Sequence, residues 1–328
     1  MSYIYLSTNK LEKINIYSIL TQLNNLLRTH ALTYFYLKSY FTKLIVIVVL
    51  ASIAFQSLAS EPILPILKKK HLNNKKFELG KLLFVDTRLS KNQDRSCHSC
   101  HNLALGGADG LKKPVNLAFN SPTILNVSKN YYIGWKGEYS QLKPQLEMIL
   151  QKPDVMGTDW AFVIPAFKKD QLYSKLFSSI YNNGISKENI IDAILYYESN
   201  LILPSKFDEF LLGDNDAISL SAKQGYNNFK DYGCASCHQG ANVGGNIFQE
   251  LGVVLPYKGI IGQYKTEKLR VPSLRNVAKT APYFSDGTVK SLKKAIEIMA
   301  KHQLGQKLTD TEIDQIADFL KSLDSIME

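Results

Sequence analysis

The sequence of 328 residues predicts an all-α protein with long loops, built from two related domains. Strand-like alternation of apolar and polar residues is scarce along the chain. Two segments of similar pattern, GKLLF at 80–84 and GYNNF at 225–229, each precede a pair of cysteines, which indicates a weak internal repeat. Near the C-terminus, LTDTEIDQIADFLKSL places apolar residues at helical spacing. Together these observations favour one small helical fold, present twice.

Each lead-in segment predicts a helix that carries an aromatic residue toward the cysteines that follow it. The last helix has a clear start, because Thr309 and Glu312 form the pattern of a capping box. We place an N-terminal extension with a signal or anchor segment at 1–59, a first domain at 60–215 and a second at 216–328.

The extension contains a pattern typical of a secretory signal at residues 43–60, KLIVIVVLASIAFQSLAS. A lysine precedes the apolar run, and the small residues Ser57 and Ala59 provide a cleavage position. The run is shorter than the roughly 20 residues of a membrane span, although the residues leave an uncleaved anchor open. Because the preceding stretch is long for a signal, a true start near Leu37 is an alternative. Residues after about 60 are expected outside the cytoplasm.

The formal net charge is +10, yet no dense run of lysine and arginine occurs. This pattern favours a solvated basic surface and no nucleic-acid partner.

The cysteines carry the clearest chemical signal. The chain has four, arranged as two C-x-x-C pairs, and a histidine follows each pair directly: Cys97, Cys100 and His101, then Cys234, Cys237 and His238. This pattern is typical of covalent haem c attachment, in which two thiols bond the vinyl groups and the histidine ligates the iron. A zinc site would need the pairs closer together, and a thioredoxin-like site would need a βαβ pattern. The residues therefore predict two haem c groups, each in a cytochrome c-like domain.

Around these pairs the chain resembles the bacterial dihaem cytochrome c peroxidases and the related MauG-type methylamine-utilisation proteins. The stretches that carry the resemblance are 77–110, 119–126 and 270–305, within a similar region of about 75–325. The resemblance implies a periplasmic enzyme that reduces hydrogen peroxide at the first haem, ligated by His101. Electrons would arrive from a small donor, such as a cytochrome c or cupredoxin, through the second haem, ligated by His238. Dimers are common in the family, so a homodimer is an open expectation.

The second haem needs a sixth ligand, and a thioether sulfur there would raise its potential. Met299 lies where the family carries its axial methionine. His302, three residues further on, is the competing candidate. The resemblance favours the peroxidase branch, because MauG-type proteins have a tyrosine at the methionine position.

Further roles follow from the resemblance alone. It implies that Trp135 lies in the electron path between the haems and that Gln145 belongs to the distal pocket, so both are catalytic candidates. It also implies a calcium ion held by the Asn120 side chain and the carbonyl groups of Thr280 and Pro282. Such oxygen ligands suit calcium.

Three departures from the family pattern concern catalysis. No histidine occurs between His101 and His238, so the family's distal histidine is absent. Val155 stands where the family has a glutamate that serves as acid and base, with Asp154 beside it. Ser285 replaces the histidine of the family's YFHDG motif.

The first iron is therefore expected to be five-coordinate, or to take Met148, Met156, a lysine or water as its sixth ligand. The leading interpretation is a dihaem peroxidase. The alternatives are a MauG-like dihaem oxidase acting on a protein substrate, and a dihaem electron carrier that is not an enzyme.

Overall fold

The computed structural model describes residues 38–48, 61–68, 73–112, 119–257 and 268–326. The chain divides into two units, Met1–Glu61 and Pro62–Glu328. In the first unit, residues 38–48 form helix α1, whose side chains are exposed. No helix in the described part of the chain is long and apolar enough to cross a membrane. The predicted cleavage position and most of the apolar signal run lie outside the described residues.

The second unit is mainly helical, which confirms the predicted fold class. Its helices are α2 (Asn74–Val85), α3 (Cys97–Cys100), α4 (Leu142–Gln151), α5 (Trp160–Lys169), α6 (Gln171–Ser178), α7 (Lys187–Ser199), α8 (Lys206–Leu211), α9 (Leu220–Asp231), α10 (Leu292–Ile298) and α11 (Asp310–Ser322). Two short strands, β1 (Phe248–Gln249) and β2 (Leu269–Arg270), pair antiparallel with Phe248 opposite Arg270. The predicted capping box at the start of α11 is confirmed, since the Thr309 and Glu312 side chains each bond the other's backbone N–H.

The apolar side chains form two main cores. The first is built from α2 and α4 to α7 and includes Phe167 and Phe177. The second is built from α8, α9 and α11, and it also takes in Ile63, from the start of the unit. The boundary proposed between residues 215 and 216 stays a prediction.

The repeated glycines explain how the two helix pairs form. In α2, a Cβ added at Gly80 would overlap the carbonyl oxygen of Ala193 in α7. In α9, a Cβ added at Gly225 would overlap the carbonyl oxygen of Gln315 in α11. Each pair of helices therefore crosses at a distance that only glycine allows. One turn after each glycine a buried phenylalanine follows, which confirms the predicted aromatic positions.

A buried ion pair fixes the loops around the second core. Arg275 and Asp208 are 0% and 1% exposed, and their two contacts measure 2.6 and 2.8 Å. Asp208 also accepts a hydrogen bond from the Ile66 backbone at 2.7 Å, and Arg275 donates to the Ala241 carbonyl at 2.9 Å. Because both charges are fully paired and hydrogen-bonded, removal of either partner would leave an uncompensated buried charge.

Candidate functional site

The first C-x-x-C pair forms a helical turn of its own. Helix α3 consists of Cys97–Cys100, and a capping box between Ser96 and Ser99 closes its N-terminus. The His101 backbone N–H then bonds the Cys97 carbonyl at 3.0 Å. This turn brings two thiols and the imidazole to one place, as haem c attachment requires.

The His101 ring is prepared to bind a metal through one nitrogen. Its Nδ1 lies 3.1 Å from the Gly107 carbonyl oxygen, which can only accept, so Nδ1 carries the proton. Gly106 and Gly107 have left-handed φ values of 70° and 83°, and this turn directs the carbonyl at the ring. Burial lowers the pKa of His101, more than the Gly107 carbonyl raises it. A neutral ring with a free Nε2 is the form that ligates iron.

The second pair is arranged similarly. A 3₁₀ turn at Cys234–Ser236 follows α9, and the His238 backbone N–H bonds the Cys234 carbonyl at 3.0 Å. Burial lowers the pKa of His238 to about 4, although the carbonyl groups of Val243 and Pro272 act in the opposite direction. The Nδ1 atom is buried and makes no well-formed hydrogen bond within the described residues. A partly buried, neutral imidazole again fits a haem ligand.

A large cavity opens above this turn. It encloses about 1770 Å³ of empty space, counted to its solvent-filled mouth, and Cys234, Cys237 and His238 contribute to its wall. Much of the remaining wall is apolar, with Phe229, Leu320 and other side chains of the second core. The mostly apolar lining suits a flat, mostly apolar cofactor.

Met299 lies on the wall of the same cavity. It begins a short π-helical segment, Met299–Gln303, directly after α10. The competing candidate, His302, is placed elsewhere: its Nδ1 lies 3.0 Å from the Leu255 carbonyl, and its ring packs against Tyr257. This placement agrees with Met299 as the sixth ligand, a role that stays a prediction.

Trp135 also lines this cavity. Its Nε1 donates to the Asn120 carbonyl at 2.7 Å, and its own carbonyl accepts from the Arg270 backbone at 3.1 Å. The side chain is thereby held in one orientation.

The predicted calcium residues lie close together. The Asn120 side-chain amide bonds the Pro282 carbonyl, and Asn120, Thr280 and Pro282 all line the large cavity. Because the amide nitrogen faces Pro282, calcium would require the Asn120 side chain to turn its oxygen inward.

The distal-pocket candidates of the first half do not line the large cavity. Gln145 lies half-buried on α4 and does not line the large cavity. Val155 packs against the first core and borders a small polar crevice with Asp154, Asp94 and Arg95. Met156 is 4% exposed and belongs to the first core, so it is not presented as a ligand.

Two polar groups near the sites were not expected from the sequence. Arg270 is 4% exposed and lines the large cavity. Burial raises the pKa of Glu198 to about 7. The pKa of the Cys97 thiol is also raised, first by burial and then by the charge of Glu198. Arg270 opens the motif RVPSLRN, but a motif does not reveal which of its side chains is buried.

Comparisons with known proteins agree with this geometry. The family model for di-haem cytochrome c peroxidase matches residues 74–216, and the cytochrome c model matches 222–324. The cytochrome c551 peroxidase of Nitrosomonas europaea is 36% identical over 81% of this chain and 84% of its own. The cytochrome c peroxidase Ccp of Escherichia coli is 37% identical over 81% of this chain and 62% of its own. The methylamine utilization protein MauG of Methylorubrum extorquens is 29% identical over 70% of each chain.

Solved structures show the same architecture. A MauG-like protein associated with microbial copper homeostasis aligns with a TM-score of 0.67 and 25% identity, over 81% of this chain and 93% of its own. The diheme peroxidase BthA of Burkholderia thailandensis aligns with a TM-score of 0.61 and 18% identity, over 79% and 87%, which supports the fold alone. The chain therefore belongs to the family of dihaem cytochrome c peroxidases and MauG proteins, and it carries covalently bound haem c.

Proposed function

We propose that the protein is a dihaem peroxidase that reduces hydrogen peroxide to water with electrons from a small redox protein. Each turnover consumes one peroxide, two electrons and two protons and releases two water molecules. The observation that carries the proposal is the pair of C-x-x-C turns, each of which presents a partly buried, neutral histidine, His101 and His238. The family relation to named cytochrome c peroxidases supplies the reaction class.

The chain's own residues prepare the two haem positions differently. The four cysteine thiols would attach the haem groups, whose iron supplies the redox chemistry when bound. The Gly107 carbonyl orients the His101 ring and increases the basicity of its free nitrogen. At the second position, a thioether from Met299 would favour reduced iron, which suits a site that receives electrons. Trp135, fixed by its bond to Asn120, is proposed to lie on the route between the two sites.

The site has no acid–base side chain at the position where the family carries its glutamate. Cleavage of the peroxide O–O bond is helped by a group that moves a proton between the two oxygens. Val155 provides none, and the exposed Asp154 beside it is the nearest substitute in sequence. Gln145 can donate a hydrogen bond but cannot exchange a proton. We therefore expect slower turnover than in relatives with a glutamate at this position.

The MauG-like oxidase remains a candidate without a specific observation in its favour, since Met299 replaces the tyrosine of that branch. A non-enzymatic electron carrier is favoured by one observation, the apolar Val155 at the acid–base position.

Steady-state consumption of hydrogen peroxide, with a reduced small cytochrome c as donor, tests the proposal. We expect a rate per haem well above that of free haem. A rate no faster than free haem would refute the peroxidase and favour the carrier.

Three further features belong to the proposal. A calcium ion would be held by Asn120, Thr280 and Pro282, which lie together in the fold. Export to the periplasm is supported by the signal-like segment at 43–60. A cytochrome c or cupredoxin would be the donor, and a homodimer the functional assembly.

A further inference from the structure

Arg270 is a buried cation that forms no ion pair among the described residues, and the exposed Glu138 carboxylate acts on it only as a nearby charge. It is 4% exposed, on strand β2. Its Nε donates to the Gly134 carbonyl at 2.6 Å, and one terminal nitrogen reaches the Val271 carbonyl at the long distance of 3.5 Å. Burial lowers the pKa of Arg270 to about 10, so the group is still charged at neutral pH. A buried charge of this kind is costly unless an anion meets it.

The position of Arg270 shows where that anion must be. The residue lines the large cavity together with Cys234, Cys237 and His238, and it is the only lysine or arginine among the described lining residues. The exposed Glu250 is the only carboxylate there, and it makes no ion pair with Arg270. The anion therefore comes from what fills the cavity.

A haem group brings such an anion. The thioether bonds to cysteine use its two vinyl groups, whereas its two propionate carboxylates need partners elsewhere in the cavity. A guanidinium binds a carboxylate through two parallel N–H donors, and Arg270 has terminal N–H groups free for this contact.

We propose that Arg270 is a positioning residue that binds a propionate of the haem attached at Cys234 and Cys237. The same residue also holds the Trp135 loop. Its side chain donates to the Gly134 carbonyl, and its backbone N–H donates to the Trp135 carbonyl. One residue thus joins the second haem to the predicted electron route. The inference rests on the haem attachment within the proposed function and is independent of peroxide turnover.

The test is a spectroelectrochemical titration of the second haem in the full holoprotein, without peroxide. Arg270→Gln removes a buried positive charge near the haem. The loss of this charge stabilises the oxidised state, which is the more positive one. We expect the reduction equilibrium to fall about tenfold or more, equal to about 59 mV for one electron. Arg270→Lys keeps the charge and should recover most of the loss. The potential of Arg270→Gln should also become more dependent on pH, because a carboxylate that loses its cation binds a proton more readily.

Lys293→Gln is the matched control, since it removes an exposed lysine of α10 that pairs with Asp314 at the surface. Its potential should equal that of the wild type. The proposal is overturned if Arg270→Gln changes the potential no more than this control. It is also overturned if Arg270→Lys loses as much as Arg270→Gln, since loop packing alone would then explain the effect. Haem content measured per protein ensures that only mature molecules are compared.

Discussion

At the scale of single residues, substitutions of Met299 and His302 are expected to have opposite effects on the second haem, although only three positions separate the two residues. Met299 lines the haem cavity, whereas His302 is engaged by the Leu255 carbonyl. We expect Met299→Ala to abolish the low-spin, high-potential signal of the second haem, because the soft sixth ligand is lost. His302→Ala is the control and should leave the signal in place. An unchanged spectrum in Met299→Ala would show that the ligand assignment is wrong.

Val155 is the second residue with a direct catalytic test. Val155→Glu restores a carboxyl group where relatives of the family carry one, and acid–base groups contribute about 100-fold or more to such reactions. We expect faster peroxide turnover, measured at saturating donor. Val155→Gln has nearly the same size without the proton, so it should not gain. Equal rates in all three proteins would mean that the absent carboxyl group is not the limiting defect.

At the scale of elements, the α9–α11 crossing depends on Gly225. A methyl group there would press on the Gln315 backbone. Overpacking of this kind costs typically about 1–3 kcal/mol, so Gly225→Ala should lower the denaturation midpoint of the holoprotein. Asn227→Ala, on the exposed side of the same helix, should stay within about 0.5 kcal/mol of the wild type. If both variants are equally stable, the close crossing is not needed.

Helix α7 makes the stability of the folded protein depend on pH through Glu198, which lies near the C-terminus of the helix. The folded protein raises the pKa of Glu198 to about 7 from an ordinary 4.5, through burial. A carboxyl group whose pKa is raised binds its proton more tightly when folded, so stability is lost as pH rises from about 4.5 through 7. Glu198→Gln should therefore raise the melting temperature near about pH 8 and change it little near about pH 4. A stabilisation of equal size at both pH values would contradict burial as the cause.

At the scale of the whole molecule, periodicity and motif spacing predicted the features that depend on local sequence. The two lead-in helices, the capped α11 and the two C-x-x-C turns lie where expected. The strands β1 and β2 were not expected, since two residues are too few to show alternation.

Burial is a property of the assembled fold, so the burial of the Arg270 and Glu198 side chains could not be predicted from the sequence. The neutral state of the two histidines likewise follows from packing, because burial lowers both pKa values more than the nearby carbonyl groups raise them. The absent acid at Val155 is predicted by the resemblance to the family, because that comparison needs only the residue type at this position.

In the proposed reaction, two haems in one chain together deliver two electrons to one peroxide. The most direct measurement is a titration of the fully reduced protein with hydrogen peroxide under anaerobic conditions, followed by haem absorbance. We predict that one equivalent of peroxide per protein oxidises both haems, faster than it oxidises free haem. Haems that stay reduced, or that react only at the rate of free haem, would contradict the account.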